Sequence, residues 1–167
     1  MRCEQLMNTD VAFVRPSEDV RRAAMLMRSR NVGFLPVCSD ERKVVGVITD
    51  RDIAVRCVAE GRPVTTEIRE VMTREIVACR PEDDIETAGR AMIRHQRSRI
   101  VCLGEHQYLL GVISLSDLSR AGLESGAAAV LERVSERESA PPRWAGRPAT
   151  EPRPSGQGAH AGVKGPR

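Results

Sequence analysis

The chain repeats itself at an offset of 65 residues, with no gap between residues 6 and 120, and this regularity restricts what it can fold into. Val45-Gly46-Val47-Ile48-Thr49-Asp50-Arg51-Asp52-Ile53 lies over Leu110-Gly111-Val112-Ile113-Ser114-Leu115-Ser116-Asp117-Leu118. Met7 lies over Met72, Val11 over Ile76, Pro16 over Pro81, Asp19 over Asp84, Ala23 over Ala88 and Met27 over Met92. A unit of about 50 residues buries too little surface to be stable alone. Two copies packed face to face are the stable object, and their seam creates a cleft.

Aromatic residues make up only 2% of the 167 residues, so the core of the pair is aliphatic. Residues 137–167 hold six of the ten prolines and five of the thirteen glycines, and this composition predicts a disordered tail. The tail carries a net charge of +4, whereas residues 1–136 sum to −1. The formal +3 of the chain is thus mostly a property of the tail, and a basic nucleic-acid face on the folded part is not supported. No apolar run reaches the roughly 18 residues of a membrane span, and the N-terminus has no signal-peptide pattern, so a cytoplasmic location is expected. Cys3, Cys38, Cys57, Cys79 and Cys102 are odd in number and form no C-x-x-C pair, which fits a reducing compartment.

Each copy reads as strand, helix, strand, strand, helix. An extended piece at 11–14 or 76–79 leads to an acidic helix start, Ser17-Glu18-Asp19 or Pro81-Glu82-Asp83-Asp84. Val20, Ala23, Ala24 and Met27 then recur at helical spacing, as do Ile85, Ala88, Gly89 and Met92. Strands are predicted at 34–38 with 44–49 and at 99–103 with 108–114, separated by polar turns. Second helices start at Thr49 and Ser114. A short helical lead at 67–72 opens the second copy, and Ala127, Val130, Leu131 and Val134 predict a last amphipathic helix over 123–136. The two repeats are placed at 6–60 and 67–121.

Chemistry concentrates where a strand runs into a helix. Thr49-x-x-Asp52 and Ser114-x-x-Asp117 each follow Gly-Val-Ile, at the C-terminal end of a strand. A capping box explains one such match without any ligand. Two matches in register, at the strand ends where open sheets hold ligands, also suit a nucleotide. A hydroxyl and free N–H groups at a helix start meet a phosphate, and a carboxylate three residues on accepts the hydroxyls of a ribose. Capping and binding are not exclusive.

These residues resemble the Gly-h-h-Thr/Ser-x-x-Asp signature (h, hydrophobic) of cystathionine-beta-synthase (CBS) domains. The resemblance spans about Leu6 to Arg120 and includes Leu6-Met7-Asn8 and Val71-Met72-Thr73. It implies an α/β (α+β) fold of two βαββα repeats about a pseudo-twofold axis, a so-called Bateman module. It also implies a non-enzymatic regulatory role, with AMP, ADP, ATP or S-adenosylmethionine bound between the repeats, and a homodimer signalling to a protein target. By that analogy Asp52 and Asp117 take ribose hydroxyls, and Thr49 and Ser114 take the phosphate or its water. Val11 and Ile76 line the adenine slot, with Asn8, Thr9 and Thr73 nearby.

Arg99 matches a position that contacts phosphate in some members of the family. A solvated strand-edge arginine is the plain alternative, and Arg97 shares its face. The first copy has Gly33 and Phe34 over Ser98 and Arg99, so the two clefts are expected to differ. Arg51, in a first helical turn, reads as solvated. Cys79 and Cys102 fall in strands where cysteine acts as a small apolar residue, with an approach of Cys38 to Cys102 as one possibility. His95, His106 and His160 have no metal-ligand spacing, no metal site is expected, and no nucleophile motif is present. Two further readings stay open: a cysteine-based redox or metal-responsive protein using the repeat as scaffold, and a polyanion-binding adaptor working through the tail.

Overall fold

The computed structural model describes residues 1–121 and, beyond them, residues 128, 129, 131, 132 and 135. Those last five are helical, within the helix expected at 123–136, while the tail at 137–167 lies outside the described residues.

The elements run α1 (Val20–Arg30), β1 (Phe34–Cys38), β2 (Val44–Thr49), α2 (Asp50–Ile53), α3 (Ile68–Val71), β3 (Ala78–Cys79), α4 (Ile85–His95), β4 (Arg99–Leu103), β5 (Leu109–Ser114) and α5 (Leu115–Arg120). Asp19 caps α1 by accepting the Arg22 N–H at 2.7 Å, and Asp84 caps α4 by accepting that of Glu86 at 3.3 Å. Both helices end on a left-handed residue, Asn31 (φ 52°) and Gln96 (φ 51°), which closes the last turn. α2 continues as a wide π turn over Ala54–Val58.

β1 and β2 pair antiparallel from Phe34↔Thr49 to Cys38↔Val44, and β4 and β5 do the same from Arg99↔Ser114 to Leu103↔Leu109. The register shifts at matching places, after Val37 and after Cys102. The expected leading strands shrink to the short parallel pair of β3 with β4, and to a single bridge, Val14↔Val37, in the first copy. They are short because most of each segment is spent crossing to the other copy.

That crossing organises the fold. Asn8 exchanges two backbone hydrogen bonds with Val112 of β5 (2.9 and 3.0 Å), and Thr73 exchanges two with Val47 of β2 (2.9 and 2.8 Å). The lead-in of each copy therefore pairs with the closing strand of the other. The free N–H at the start of α1 is satisfied by Thr66 O (2.9 Å) and that of α4 by Met1 O (3.0 Å), again across copies. Gly46 and Gly111 permit the approach. A Cβ on Gly46 would lie 2.8 Å from Thr73 O, and one on Gly111 would lie 2.9 Å from Asn8 O and 2.8 Å from the Met7 sulfur.

The cores are consequently mixed. Ile68, Val71 and Met72 complete the core of Val14, Val20, Ala23, Leu35, Val37 and Ile48. Cys3 completes that of Cys79, Ile85, Ala88, Met92, Ile100, Cys102, Ile113 and Leu118. A third cluster, Cys38, Val44, Val101 and Leu109 with Val11, Phe13, Phe34 and Ile76, fills the seam. On the same seam Lys43 bridges to Tyr108, and the Arg42 guanidinium lies between the rings of Phe13 (5.2 Å) and Tyr108 (5.6 Å).

Exchange makes a prediction that independent repeats do not. Ile68→Ala should cost about 2 to 5 kcal/mol. The loss of amide hydrogen-exchange protection should appear first in β1 and β2, on the far side of the sequence gap, rather than in β4 and β5.

Candidate functional site

Both strand-to-helix junctions form reciprocal capping boxes. Asp52 N–H donates to Thr49 Oγ1 (3.1 Å), while Asp52 Oδ2 accepts from Thr49 N–H (3.0 Å) and Oγ1 (2.8 Å). Asp117 N–H donates to Ser114 Oγ (3.3 Å), and Asp117 Oδ2 accepts from Ser114 N–H (2.8 Å) and Oγ (2.5 Å). One carboxylate oxygen of each aspartate is thus committed to the cap, and Oδ1 faces away from it. The two side chains are only 12% and 19% exposed.

Each Oδ1 holds an arginine that the repeat pattern does not single out. Arg56 reaches Asp52 Oδ1 at 3.4 Å from four residues on, and Arg120 reaches Asp117 Oδ1 at 2.9 Å from three residues on. Only helical spacing from each aspartate signals them in the sequence, since residues 56 and 120 do not lie over each other. Arg56 also donates to Val71 O (2.8 Å), tying the first junction to the incoming segment of the second copy, whereas Arg120 donates to Ser116 O (3.2 Å) in its own helix.

Because of the exchange, the candidate residues regroup across copies. Thr73 donates to Asp52 Oδ1 at 3.3 Å, so Thr73 and Ile76 belong with Thr49 and Asp52. Asn8 pairs with Val112, two residues before Ser114, so Thr9 and Val11 leave from the junction of Ser114 and Asp117. Asn8 Oδ1 turns back to accept the Asp10 N–H (3.0 Å). Val11 and Ile76 are half-buried against the seam, and Thr9 is exposed.

Arg99 is exposed and lies directly opposite Ser114 on the neighbouring strand. With Ser98, Ser114, Ser116 and Ser119 it lines an open cleft of about 560 Å³, closed on one side by Ala128 and Leu131. Arg97 is not among the residues lining this cleft. The serines at 98, 116 and 119 escape the motif-based reading, because no signature position carries them.

The matching place in the first copy has the opposite charge. Asp50 folds over Gly33, and a Cβ there would meet its Oδ2 at 2.5 Å; the carboxylate takes the space where the second copy has the Ser98 side chain. Phe34, in place of Arg99, turns into the seam. Arg51 is exposed and its backbone N–H donates to Asp50 Oδ1 (2.7 Å).

All five cysteines are buried and reduced. Cys102 does not approach Cys38. Adjacent strand residues face opposite sides: Val101 meets Cys38 in the seam, and Cys102 turns inward to Cys3 and Cys79. Among the described residues no group of three or more His, Cys, Asp or Glu is placed to hold a metal ion, and no helix is long and apolar enough to cross a membrane.

The family model of the CBS domain matches this chain twice, over residues 3–58 and 68–124, and the chain belongs to that family as a tandem pair. The CBS domain-containing protein YhcV of Bacillus subtilis is 39% identical over 113 residues, covering 68% of this chain and 79% of YhcV. The CBS domain protein TA0289 of Thermoplasma acidophilum, solved as a protein of unknown function, superposes with a TM-score of 0.72 at 23% identity (80% and 75% of the two chains). The CBS pair of MJ0100, in complex with 5-methylthioadenosine and S-adenosyl-L-methionine, gives 0.67 at 20% identity (75% and 98%). CBSX2 in complex with AMP gives 0.65 at 22% identity (74% and 97%).

Burial pushes the Cys38 thiol from its ordinary 9.0 up to about 11, with Arg42 opposing the rise. The folded state thus holds this proton more tightly than the unfolded chain. Its contribution is full below pH 9 and is lost as the pH rises toward 11. Urea titrations across that window should show stability falling, and Cys38→Ala should flatten the slope.

Proposed function

We propose that this CBS pair is a non-enzymatic regulatory module that binds an adenosyl ligand, and that the cleft of Arg99, Ser114 and Asp117 is its stronger site. The observation that carries the reading is the convergence on one open cleft of a guanidinium and four serine hydroxyls, one of which, Ser114 Oγ, holds the Asp117 carboxylate behind it. In this reading Asp117 Oδ1 takes the ribose hydroxyls in place of Arg120, while Ser114 and Arg99 take the phosphate. Thr9 and Val11 flank the adenine. The adenosyl ligands of MJ0100 and CBSX2 support the ligand class.

The first cleft, with Thr49, Asp52, Thr73 and Ile76, has the same ribose carboxylate but presents Asp50 where phosphate would sit. It suits a neutral or cationic adenosyl group and disfavours a nucleotide phosphate. Ligand in either cleft touches segments of both copies, so it stabilises the exchanged arrangement and moves equilibria by its differential affinity. The output passes to a second copy of the module or to another protein in the cytoplasm.

Thermal shift with AMP, ADP, ATP and S-adenosylmethionine tests this. Ligand at 100 times its dissociation constant adds about 2.7 kcal/mol, several degrees of melting temperature at this size. Asp117→Ala and Arg99→Ala should each remove more of the AMP shift than Asp52→Ala does. No shift with any of the four ligands would defeat the assignment, and the reverse order of variants would move the stronger site to the first copy.

A further inference from the structure

Three of the five cysteines meet at one corner of the second copy, and nothing in the nucleotide reading uses them. Cys3 comes in on the exchanged N-terminal segment, Cys79 sits on β3 and Cys102 on β4. Cys79 interacts with both of the others. The internal repeat supplies a control for what this corner needs. The three matching positions in the first copy are Ile68, Val14 and Val37, which pack together in its core. The same fold therefore builds the corner from aliphatic side chains when only packing is required. Thiols stand at all three positions, and only in one copy.

Cys79 and Cys102 are direct partners on adjacent parallel strands. Neighbouring strands lie about 4.8 Å apart, within the Cα separation of about 4.4 to 6.8 Å that a disulfide spans. Access comes from one side. Cys79 is 6% exposed and forms part of the wall of an open cleft of about 490 Å³, with Arg80, Asp83, Gly104 and His106. Contact with Cys79 draws the Cys102 thiol below its ordinary range, while the same contact and burial push Cys79 up. Of the two, Cys102 is the readier to give up its proton.

We propose that Cys79 and Cys102 form a thiol–disulfide site that hydroperoxides oxidise through the cleft over Cys79. The Cys79 sulfur, on the wall of the cleft, attacks the peroxide, the O–O bond breaks, Cys79 becomes a sulfenic acid and its thiol proton leaves in one water. The Cys102 sulfur then attacks Cys79, the S–S bond forms and the sulfenic oxygen leaves with the Cys102 proton as a second water. Two thiols and one hydrogen peroxide give one disulfide and two waters. Cys3 is the neighbour whose small side chain lets the two sulfurs meet.

The test treats the full chain with hydrogen peroxide, alkylates it under denaturing conditions and maps the peptides without reductant. The expected result is the loss of two of the five free thiols and a Cys79–Cys102 linked peptide, both reversed by dithiothreitol. Cys79→Val and Cys102→Val carry the residues found at Val14 and Val37, and Cys79→Ala covers a failure of the valine to fit. Each should abolish the link, and Cys3→Ala should retain it. Five intact thiols after treatment, or a bridge that uses Cys3, Cys38 or Cys57, would overturn the proposal.

Discussion

The backbone pairs Asn8 with Val112 and Thr73 with Val47 hold the two copies together as one molecule. Each is a double hydrogen bond made by a segment that has left its own copy. Once they form, Ile68 and Met72 must complete the first core and Cys3 the second, because those residues lie on the segments that have crossed. The glycines at 46 and 111 follow from the same constraint, since a side chain at either would strike the incoming backbone. A glycine that opens a binding signature is here first a point of close chain approach.

The exchange also decides what surrounds each strand-to-helix junction. Every junction of strand and helix takes its hydroxyl and carboxylate from one copy and its flanking residues from the other. In the proposed reading a ligand there touches both, and so biases the arrangement of the two repeats. The scaffold is symmetric, but charge breaks the symmetry locally. Arg99 faces Ser114 at one junction, and Asp50 covers Gly33 at the other. The two copies also tie their aspartates differently: Arg56 links Asp52 to the crossing segment, and Arg120 links Asp117 only to its own helix.

Much of this was legible in the order of residues. Polar turns and alternating apolar residues place β1 and β2 at the predicted bounds, and the acids at 19 and 84 do cap their helices. The Thr49–Asp52 and Ser114–Asp117 pairs read correctly as capping boxes because that interaction is local, closed within one helical turn. What escaped was non-local. The leading strands came out too long because local propensity cannot register that residues 8–13 and 73–77 are bound for the other copy. Cys38 and Cys102 looked adjacent by register, yet the alternation of the strand turns one to the seam and the other to the core. Ser98, Ser116 and Ser119 gather on the Arg99 cleft only because β4, β5 and α5 converge there.

The sequence by itself determined the repeat, the type and order of the elements, the aliphatic character of the core and the two hydroxyl–carboxylate junctions. Each of these depends on periodicity, composition or spacing within a few residues. Only the tertiary structure decided which copy completes which core, which flanking residues reach which strand-to-helix junction, and that three thiols meet where the other copy has two valines and an isoleucine. Those are pairings over some 20 to 105 positions. The physical reason is that backbone hydrogen bonds across the seam are almost blind to side-chain identity, so they leave little in the sequence beyond the two glycines that make room for them.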